Sequence, residues 1–405
     1  MPTQQALFDE KVSRLQRRTQ QPRSLRVAGL FAGVGGLELG LSAAGHATAL
    51  FCEIDGAARS VLAKHFPNIP CHPDVRELDA LPDDVDLVTA GFPCQDLSQA
   101  GRTLGLAGSR SGLVGEVFRL LRGRRIPWVV LENVPFMLQL NKGHALDVII
   151  AALEDLGYKW AYRVIDSRSF GLPQRRHRVY VVASLVDDPR HVLFAGNRRP
   201  PEKANSNVET AYGFYWTEGL RGLGWASNAV PTLKGGSSVG IPSPPAIWLP
   251  SGEIVTPNIR DAERMQGFPV DWTKPAELVA RPGVRWKLVG NAVSVPVAKW
   301  IGERLARSGP LRIRDGDPLV RNGAWPNVAW NVGEGRRTTD LSTWPVLRKS
   351  EPLVDFLRHD PSPLSERATA GFLSRAERAK LRFPPGFLAA MKEHLEAVRS
   401  QVSGP

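Results

Sequence analysis

The sequence predicts an α/β fold: a mostly parallel sheet flanked by helices, joined to a smaller loop-rich domain. Three observations carry this. Short apolar runs alternate with helical stretches through the first half of the chain. Glycines and acids recur where those strands end, and open parallel sheets gather ligands at such ends. After about Leu185 the alternation stops, and Gly, Pro, Ser and Asn become frequent.

Taken in order, "LRVAGL" (Leu25 to Leu30) is a strand, followed by a glycine turn and a helix to about Ala44. "ATALFCEID" is a second strand closed by two acids, and "GAARSVLAKHF" is helical. "DLVTAGF" is a strand leading into Pro93 and Cys94; "SGLVGEVFRLLRG" is a helix and "PWVVLENV" a strand. A helical "HALDVIIAALEDLG" precedes two further strands, "WAYRVID" and "RVYVVASL". From Val186 to Pro257 no helical period is visible, although Tyr212, Phe214, Tyr215, Trp216 and Trp225 cluster there. Helical texture returns at "NIRDAERMQGF" and "SVPVAKWIGERLARSG", and again near the C-terminus in "FLSRAERAKLRFPPGFLAAMKEHLEAVRS".

The chain has 405 residues, 42% hydrophobic and 23% charged, the composition of a globular protein with room for two or three domains. No apolar run is long enough to span a membrane, and the first residues lack a signal core. Three cysteines cannot build a disulfide framework and point to a reducing, cytoplasmic setting. None of them pairs with a histidine at zinc-finger spacing, so no metal is expected. The net charge of +12 attracts polyanions, nucleic acid first among them, although a solvated basic surface has the same composition.

Several short stretches carry candidate chemistry. "FAGVGG" (Phe31 to Gly36) lets main-chain amides approach a ligand at a helix start, and equally suits a plain tight turn. It is not the full dinucleotide fingerprint, because Glu38 stands where the last glycine belongs. Glu53 ends the second strand, where acids commonly accept ribose hydroxyls, while Asp55 reads as a helix N-cap. Asp74 follows the next turn. Together these acids and the glycine turn suggest a nucleoside-containing cofactor across adjacent strand ends. Glu132 in "LENVP" sits at a strand end, where a raised pKa would suit proton donation and where a salt-bridged Glu is equally at home. In "GLPQRRHRVY" a single strand would point Gln174, Arg176 and Arg178 to one face. That face suits either an anionic substrate cleft or a solvated edge. Cys94, directly after Pro93, is either a small buried hydrophobe or an exposed thiol at a loop mouth.

The order "LFAGVGG", "EID", "PDV", "GFPCQDLS", "ENV", "QRRHRVY", "RDAERMQGFP", "VGNAVSVPVA" resembles the bacterial-type DNA (cytosine-5-)-methyltransferases over roughly residues 25 to 308. The resemblance implies a Rossmann-like S-adenosylmethionine-dependent methyltransferase domain with a smaller loop-rich target-recognition domain. By it, residues 1–24 form a basic N-terminal segment and 25–185 the first part of the catalytic and cofactor-binding domain. Residues 186–255 form the target-recognition region, 256–309 the second catalytic part, and 310–405 a C-terminal extension.

It also implies roles. Cys94 is the nucleophile that adds to C6 of cytosine, with Arg176 supplying nearby positive charge; a thiol of ordinary pKa is only a few per cent thiolate at neutral pH. Glu132 protonates or hydrogen-bonds N3, and Arg178 holds O2. Phe31 stacks on adenine, Glu53 meets the ribose, neighbouring Ile54 also binds the cofactor, and Asp74 takes the adenine amino group. Gly33 and Gly35 shape the loop, and Asn291 and Val293 close over the methionine end of S-adenosyl-L-methionine, whose product is S-adenosyl-L-homocysteine.

The implied partner is double-stranded DNA, with the cytosine flipped from the duplex. A cognate restriction endonuclease or other defence proteins fit alongside, and a monomer is the default. "AVPTLKGGSSVG" resembles a Thr-Leu segment of such recognition regions; Lys234 suits a backbone contact, and Arg221 or nearby aromatics base contacts. Two departures stand out: Gly29 where the family often has an acid, and "PDV" where many members read Gly-Asp-Ile or Gly-Asp-Val. A tRNA-modifying branch usually carries Cys-Phe-Thr, but no cysteine follows Cys94. An inert DNA-binding relative would show damage at the Cys, Glu or Arg positions, and all are intact.

Overall fold

The computed structural model describes residues 22–93, 112–201, 210–236, 243–311, 313, 316–320 and 323–402. These fall into two compact units. The first takes the described residues through Ser169, His177–Pro200 and Val293–Leu347; the second takes Phe170–Arg176, Pro201–Ala292 and the described residues from Arg348 onward. Residues 310–405, read from sequence as one extension, are therefore shared between the two.

The first unit follows the predicted order with one strand, β3, that the sequence pattern did not predict: β1 (Arg26–Leu30), α1 (Gly36–Ser42), β2 (Ala47–Cys52), α2 (Gly56–His65), β3 (Cys71–His72), β4 (Leu87–Ala90), α3 (Leu113–Gly123), β5 (Trp128–Asn133), α4 (His144–Asp155), β6 (Lys159–Asp166) and β7 (His177–Ser184). It continues with α5 (Arg190–Leu193), α6 (Val295–Ala306), β8 (Asp317–Pro318), β9 (Val328–Asn331) and β10 (Arg337–Thr338). Sequence explains these locally. Asp55 caps α2, its Oδ1 accepting from Ala57 N at 2.9 Å and Ala58 N at 3.3 Å. The apolar stripe Val114, Val117, Phe118, Leu120 and Leu121 seats α3 on the sheet. All six residues of β5 are buried, as a central strand covered on both faces requires.

The sheet has ten strands in the order β8-β10-β9-β6-β7-β5-β4-β1-β2-β3. The expectation of a mostly parallel sheet is corrected here. β3, β2, β1, β4 and β5 are parallel neighbours, but β7 runs antiparallel to both β5 and β6, and β9 runs antiparallel to β6. No crossover helix lies between β6 and β7, so the chain re-enters the sheet in the opposite direction. Strand order reverses between β1 and β4, the topological switch point at whose carboxyl side α/β sheets bind ligands.

Helix α6 returns to cover α1 at backbone distance. A Cβ added to Gly40 would lie 2.5 Å from Ala298 Cβ and 2.6 Å from Lys299 N. Buried Arg163 ties β6 to its surroundings, donating to the carbonyls of Ser342 (2.7 and 3.0 Å), Leu193 (3.0 Å) and Gly196 (2.6 Å). Burial brings its pKa down to about 10.

The second unit has a five-stranded sheet of Tyr212–Phe214, Ala226–Ser227, Ala246–Trp248, Ile254–Thr256 and Ser362–Pro363. Phe214, Ala246 and Ile254 from this sheet share one apolar core with Phe372, Phe387 and Met391 from the helices Glu366–Ala376 and Phe387–Val402.

The Gly40 contact leaves no space for a methyl group. Gly40→Ala is expected to cost about 1–3 kcal/mol, read as a lower denaturant midpoint, because the added carbon overpacks two helices already touching. An unchanged midpoint would show that α1 and α6 separate without penalty.

Candidate active site

In the first unit three adjacent strands run in register, β1 and β4 ending at one level and β5 continuing two residues beyond it. Leu30 of β1 pairs with Ala90 of β4, and Ala90 with Leu131 of β5. The three exits are therefore Phe31 with the glycine turn, Gly91-Phe92-Pro93 leading to Cys94, and Glu132. Cys94 itself lies outside the described residues.

The glycine turn opens with Phe31 at φ 53, followed by Gly33 at φ 56 and Gly35 at φ 79, left-handed conformations that glycine adopts without strain. Open space surrounds the Cβ position of Gly33, whereas a Cβ on Gly35 would come within 3.0 Å of Leu62 and Phe66. Glu53 holds this turn to the end of β2. Its Oε2 accepts from Gly33 N at 2.7 Å and its Oε1 from Asp55 N at 2.8 Å. Burial pushes the Glu53 pKa up, and the two amides oppose that. Beside this buried acid, Ile54 leaves 63% of its surface exposed, an apolar face at a strand end. Asp74 lies beyond β3 with its carboxylate gripped by Arg76, which holds its pKa at about 2. Val293 is buried in this unit just before α6.

On the other side of the switch point, Arg178 Nε donates to Glu132 Oε1 at 2.9 Å across the antiparallel β5–β7 pair, and both groups are largely buried. Arg178 also donates to His177 O at 2.8 Å. The Cβ position of Gly91 lies 3.5 Å from Glu132 Oε2 and 3.9 Å from Phe31 O, so the carboxylate faces the strand exit that leads to Cys94. Asn133 completes this arrangement: its Nδ2 donates to Phe92 O at 3.0 Å, and its Oδ1 accepts from Val134 N at 2.8 Å.

The single polar strand face expected in "QRRHRVY" is corrected. Gln174–Arg175 pairs with Val230–Pro231 in the second unit, and β7 begins only at His177. The chain leaves one ladder at Arg176 before entering the next, so Gln174 and Arg176 do not share a face with Arg178. Arg176 is 1% exposed. Its guanidinium donates to Leu233 O at 3.2 Å, Gly290 O at 3.1 Å and Ala292 O at 2.7 Å, drawing "TLKGG" and "GNAV" together. Gln174 adds to the clamp, accepting from Leu233 N at 3.0 Å and donating to Met265 O at 3.0 Å. Exposed Asn291 lies in the same unit, its Oδ1 2.5 Å from the Cβ position of Gly235.

Sequence reading passed over one group. Glu38 is 1% exposed, accepts from Thr89 Oγ1 at 2.7 Å, and presses against Gly29, where any Cβ would overlap its carboxyl. Its other oxygen, Oε2, has no hydrogen-bond partner among the described residues. Burial raises its pKa to about 7. The glycine at 29 and the acid at 38 had each looked like a separate departure. They are one arrangement, with the carboxyl reaching β1 from α1 instead of growing from β1 itself.

Chemically, the site combines a carboxylate with a paired guanidinium, an amide-rich turn and an apolar strand-end surface. Among the described residues, no group of three or more His, Cys, Asp or Glu could hold a metal ion.

Comparison with known proteins gives the same picture. Residues 25–219 match the family model for C-5 cytosine-specific DNA methylase. The chain is 49% identical over 367 residues to Type II methyltransferase M2.BsuMI of Bacillus subtilis (strain 168), covering 87% of this chain and 94% of that protein. It is 30% identical over 316 residues to Type II methyltransferase M.NlaX of Neisseria lactamica, covering 69% and 96%. Among solved structures, the Schizosaccharomyces pombe (S. pombe) Dnmt2 methyltransferase shares the fold at TM-score 0.52 and 16% identity, over 69% of this chain and 98% of that one.

The unfolded chain ionises Glu38 near 4.5, the folded protein near about 7. Ionisation therefore opposes folding increasingly across that window, and the full penalty stands above it. Glu38→Gln is expected to gain stability relative to the parent between about pH 5 and about pH 8, measured as the difference in denaturant midpoints. An equal offset at both pH values would mean that the folded protein ionises this carboxyl as readily as the unfolded chain.

Proposed function

The chain belongs to the C-5 cytosine-specific DNA methylase family and is a DNA cytosine-5 methyltransferase; from that membership we propose that it modifies one specific double-stranded sequence by flipping the cytosine out and binding it covalently through Cys94. DNA is the substrate of this family, and S-adenosyl-L-methionine its methyl donor. The observation that best supports the mechanism is the Glu132–Arg178 pair beside Gly91, at the strand exit that leads to Cys94.

The steps follow from what each group can do. C5 of cytosine is too weakly nucleophilic to attack a methyl group unaided. Thiolate addition from Cys94 to C6 turns the ring into an enamine whose C5 can attack. Negative charge then develops toward N3, which Glu132 protonates or hydrogen-bonds. Arg178, with its Nε on Glu132 and a terminal nitrogen on His177 O, keeps the acid oriented and holds O2. Asn133 fixes the Phe92 carbonyl and so the course of the chain into Cys94. After methyl transfer a base removes the C5 proton, and β-elimination frees Cys94.

Arg176 receives a different role from the one its motif suggests. With its donors on three carbonyls it positions backbone, and its charge still contributes to the local field.

The cofactor supplies an electrophilic methyl on a sulfonium. Phe31, Gly33, Gly35, Glu53, Ile54 and Asp74 would hold it, with Asn291 and Val293 toward its methionine end. The residues fit such a group: the open space at Gly33, the buried acid at Glu53 and the bare apolar face of Ile54 suit an amino-acid chain, a ribose and an aromatic base in turn. The loop-rich second unit carries target recognition in this reading. Modification beside a cognate restriction endonuclease is the biological setting, in the cytoplasm.

Single-base methylation sequencing of DNA from a host without other cytosine methylation tests this. The parent should mark cytosines in one short recurring context, Cys94→Ser should mark none, and Glu132→Gln should lose about 10²–10⁴-fold in rate. Full methylation by Cys94→Ser would exclude the covalent route.

A further inference from the structure

A second feature of the recognition unit stands apart from the catalytic groups. Between Tyr212–Phe214 and Ala226–Ser227 the chain makes a tight excursion, residues 215–224, with Leu220 and Arg221 at its tip. It is rigidly built. Tyr215 N donates to Leu223 O at 2.7 Å, Glu218 N to Tyr215 O at 3.1 Å, and Gly219 N to Gly222 O at 2.9 Å.

The C-terminal helix Glu366–Ala376 supports the turn from beneath. Arg375 Nε donates to Glu218 O at 2.9 Å, and its terminal nitrogen to Trp216 O at 2.7 Å. Buried Phe372 packs under Gly219, 3.0 Å from that residue's Cβ position. Nothing in the turn's own sequence provides this support; a residue 157 and 159 positions beyond its two partners does.

The turn is also tied to the clamp described above. Tyr215 Oη donates to Thr232 O at 2.6 Å, and the next carbonyl, Leu233, is held by Arg176. Lys234 completes the junction, its Nζ 2.7 Å from Glu218 Oε1 and 3.5 Å from the Tyr215 ring centroid. The Arg176 clamp and the base of this turn thus belong to one hydrogen-bonded assembly.

The tip itself is unsatisfied in two ways. Leu220 exposes 49% of its surface, and exposed Arg221 makes no hydrogen bond or ion pair among the described residues. Resting on the reading of this chain as a DNA methyltransferase, we propose that Leu220 and Arg221 read base edges of the target sequence, with Arg375 and Phe372 as the residues that position them. An arginine fork matches guanine O6 and N7, and an apolar side chain meets the thymine methyl; a phosphate contact uses neither the leucine nor a fixed direction. Rigidity matters because a base-edge contact needs a defined angle, which a free loop cannot supply.

The test is single-base mapping of methylation by the full-length protein and three variants, Arg221→Ala, Leu220→Ala and Arg375→Ala, with thermal melts to verify folding. Arg221→Ala is expected to relax the methylated context at one position, losing about tenfold or more in discrimination there. Arg375→Ala should relax the same position, and Arg375→Lys should restore part of it, which a purely structural role would not produce. The inference is overturned if Arg221→Ala and Leu220→Ala keep the parent's context and only weaken methylation uniformly, the signature of a phosphate contact. It is also overturned if both behave as the parent. A parent that methylates no DNA at all removes the underlying reading and this inference with it, a result distinct from either.

Discussion

The catalytic unit depends on the shared register of β1, β4 and β5. Hydrogen-bonded pairing places Leu30, Ala90 and Leu131 in one row, so the next residue of each strand emerges at the same height. From that row come the glycine turn, the chain to Cys94 and Glu132. A one-residue slip of any of the three would turn its side chains to the opposite face and take its exit out of the row. Burial of β5 on both faces holds it in the interior of the sheet, between β4 and β7. Packing of the sheet interior and alignment of the reacting groups are thus one constraint.

Buried polar groups carry the second layer of organisation, and several of them fix backbone. Glu53 spends its oxygens on amides of the glycine turn and the α2 start; Asn133 fixes Phe92; Arg163 gathers carbonyls around β6. Arg176 and Gln174 do the same for "TLKGG" and "GNAV" in the other unit. Desolvating such groups is costly unless their donors and acceptors are met, which explains why loops rather than side chains are their partners. Glu38 is bonded differently, to the Thr89 side chain. It is kept near neutrality instead, with a pKa of about 7, and sits where β1 has no side chain of its own.

The second unit resolves the part of the chain that looked least structured. Between Val186 and Pro257 the residues suggested loops, and short strands do form there, none longer than three residues. Their core is completed by aromatic and aliphatic residues after Leu364, including Phe372 and Phe387, which stand 5.5 and 5.0 Å from the Phe214 ring. A sheet this small cannot bury enough surface by itself, so distant helices supply the other half.

Much of the site was legible because its chemistry is written in short contiguous motifs. The strands from Leu25 to Leu185, the Asp55 cap, the glycine turn and the placement of Glu53 and Glu132 at strand ends all follow from local periodicity and residue type. What was not legible depends on partners far away in sequence. That β7 runs antiparallel, that the ladder breaks at Arg176, and that Arg176 grips carbonyls at 233, 290 and 292 are decided by where other segments pack. The same holds for Gly29 and Glu38, two local oddities that only the α1–β1 contact makes into one arrangement. By itself the sequence determined the candidate reacting groups and the order of the elements that carry them, since both reside in short-range patterns. Tertiary structure alone decided which charges are spent on backbone and which face the strand exits, because that depends on burial and on contacts no local pattern encodes.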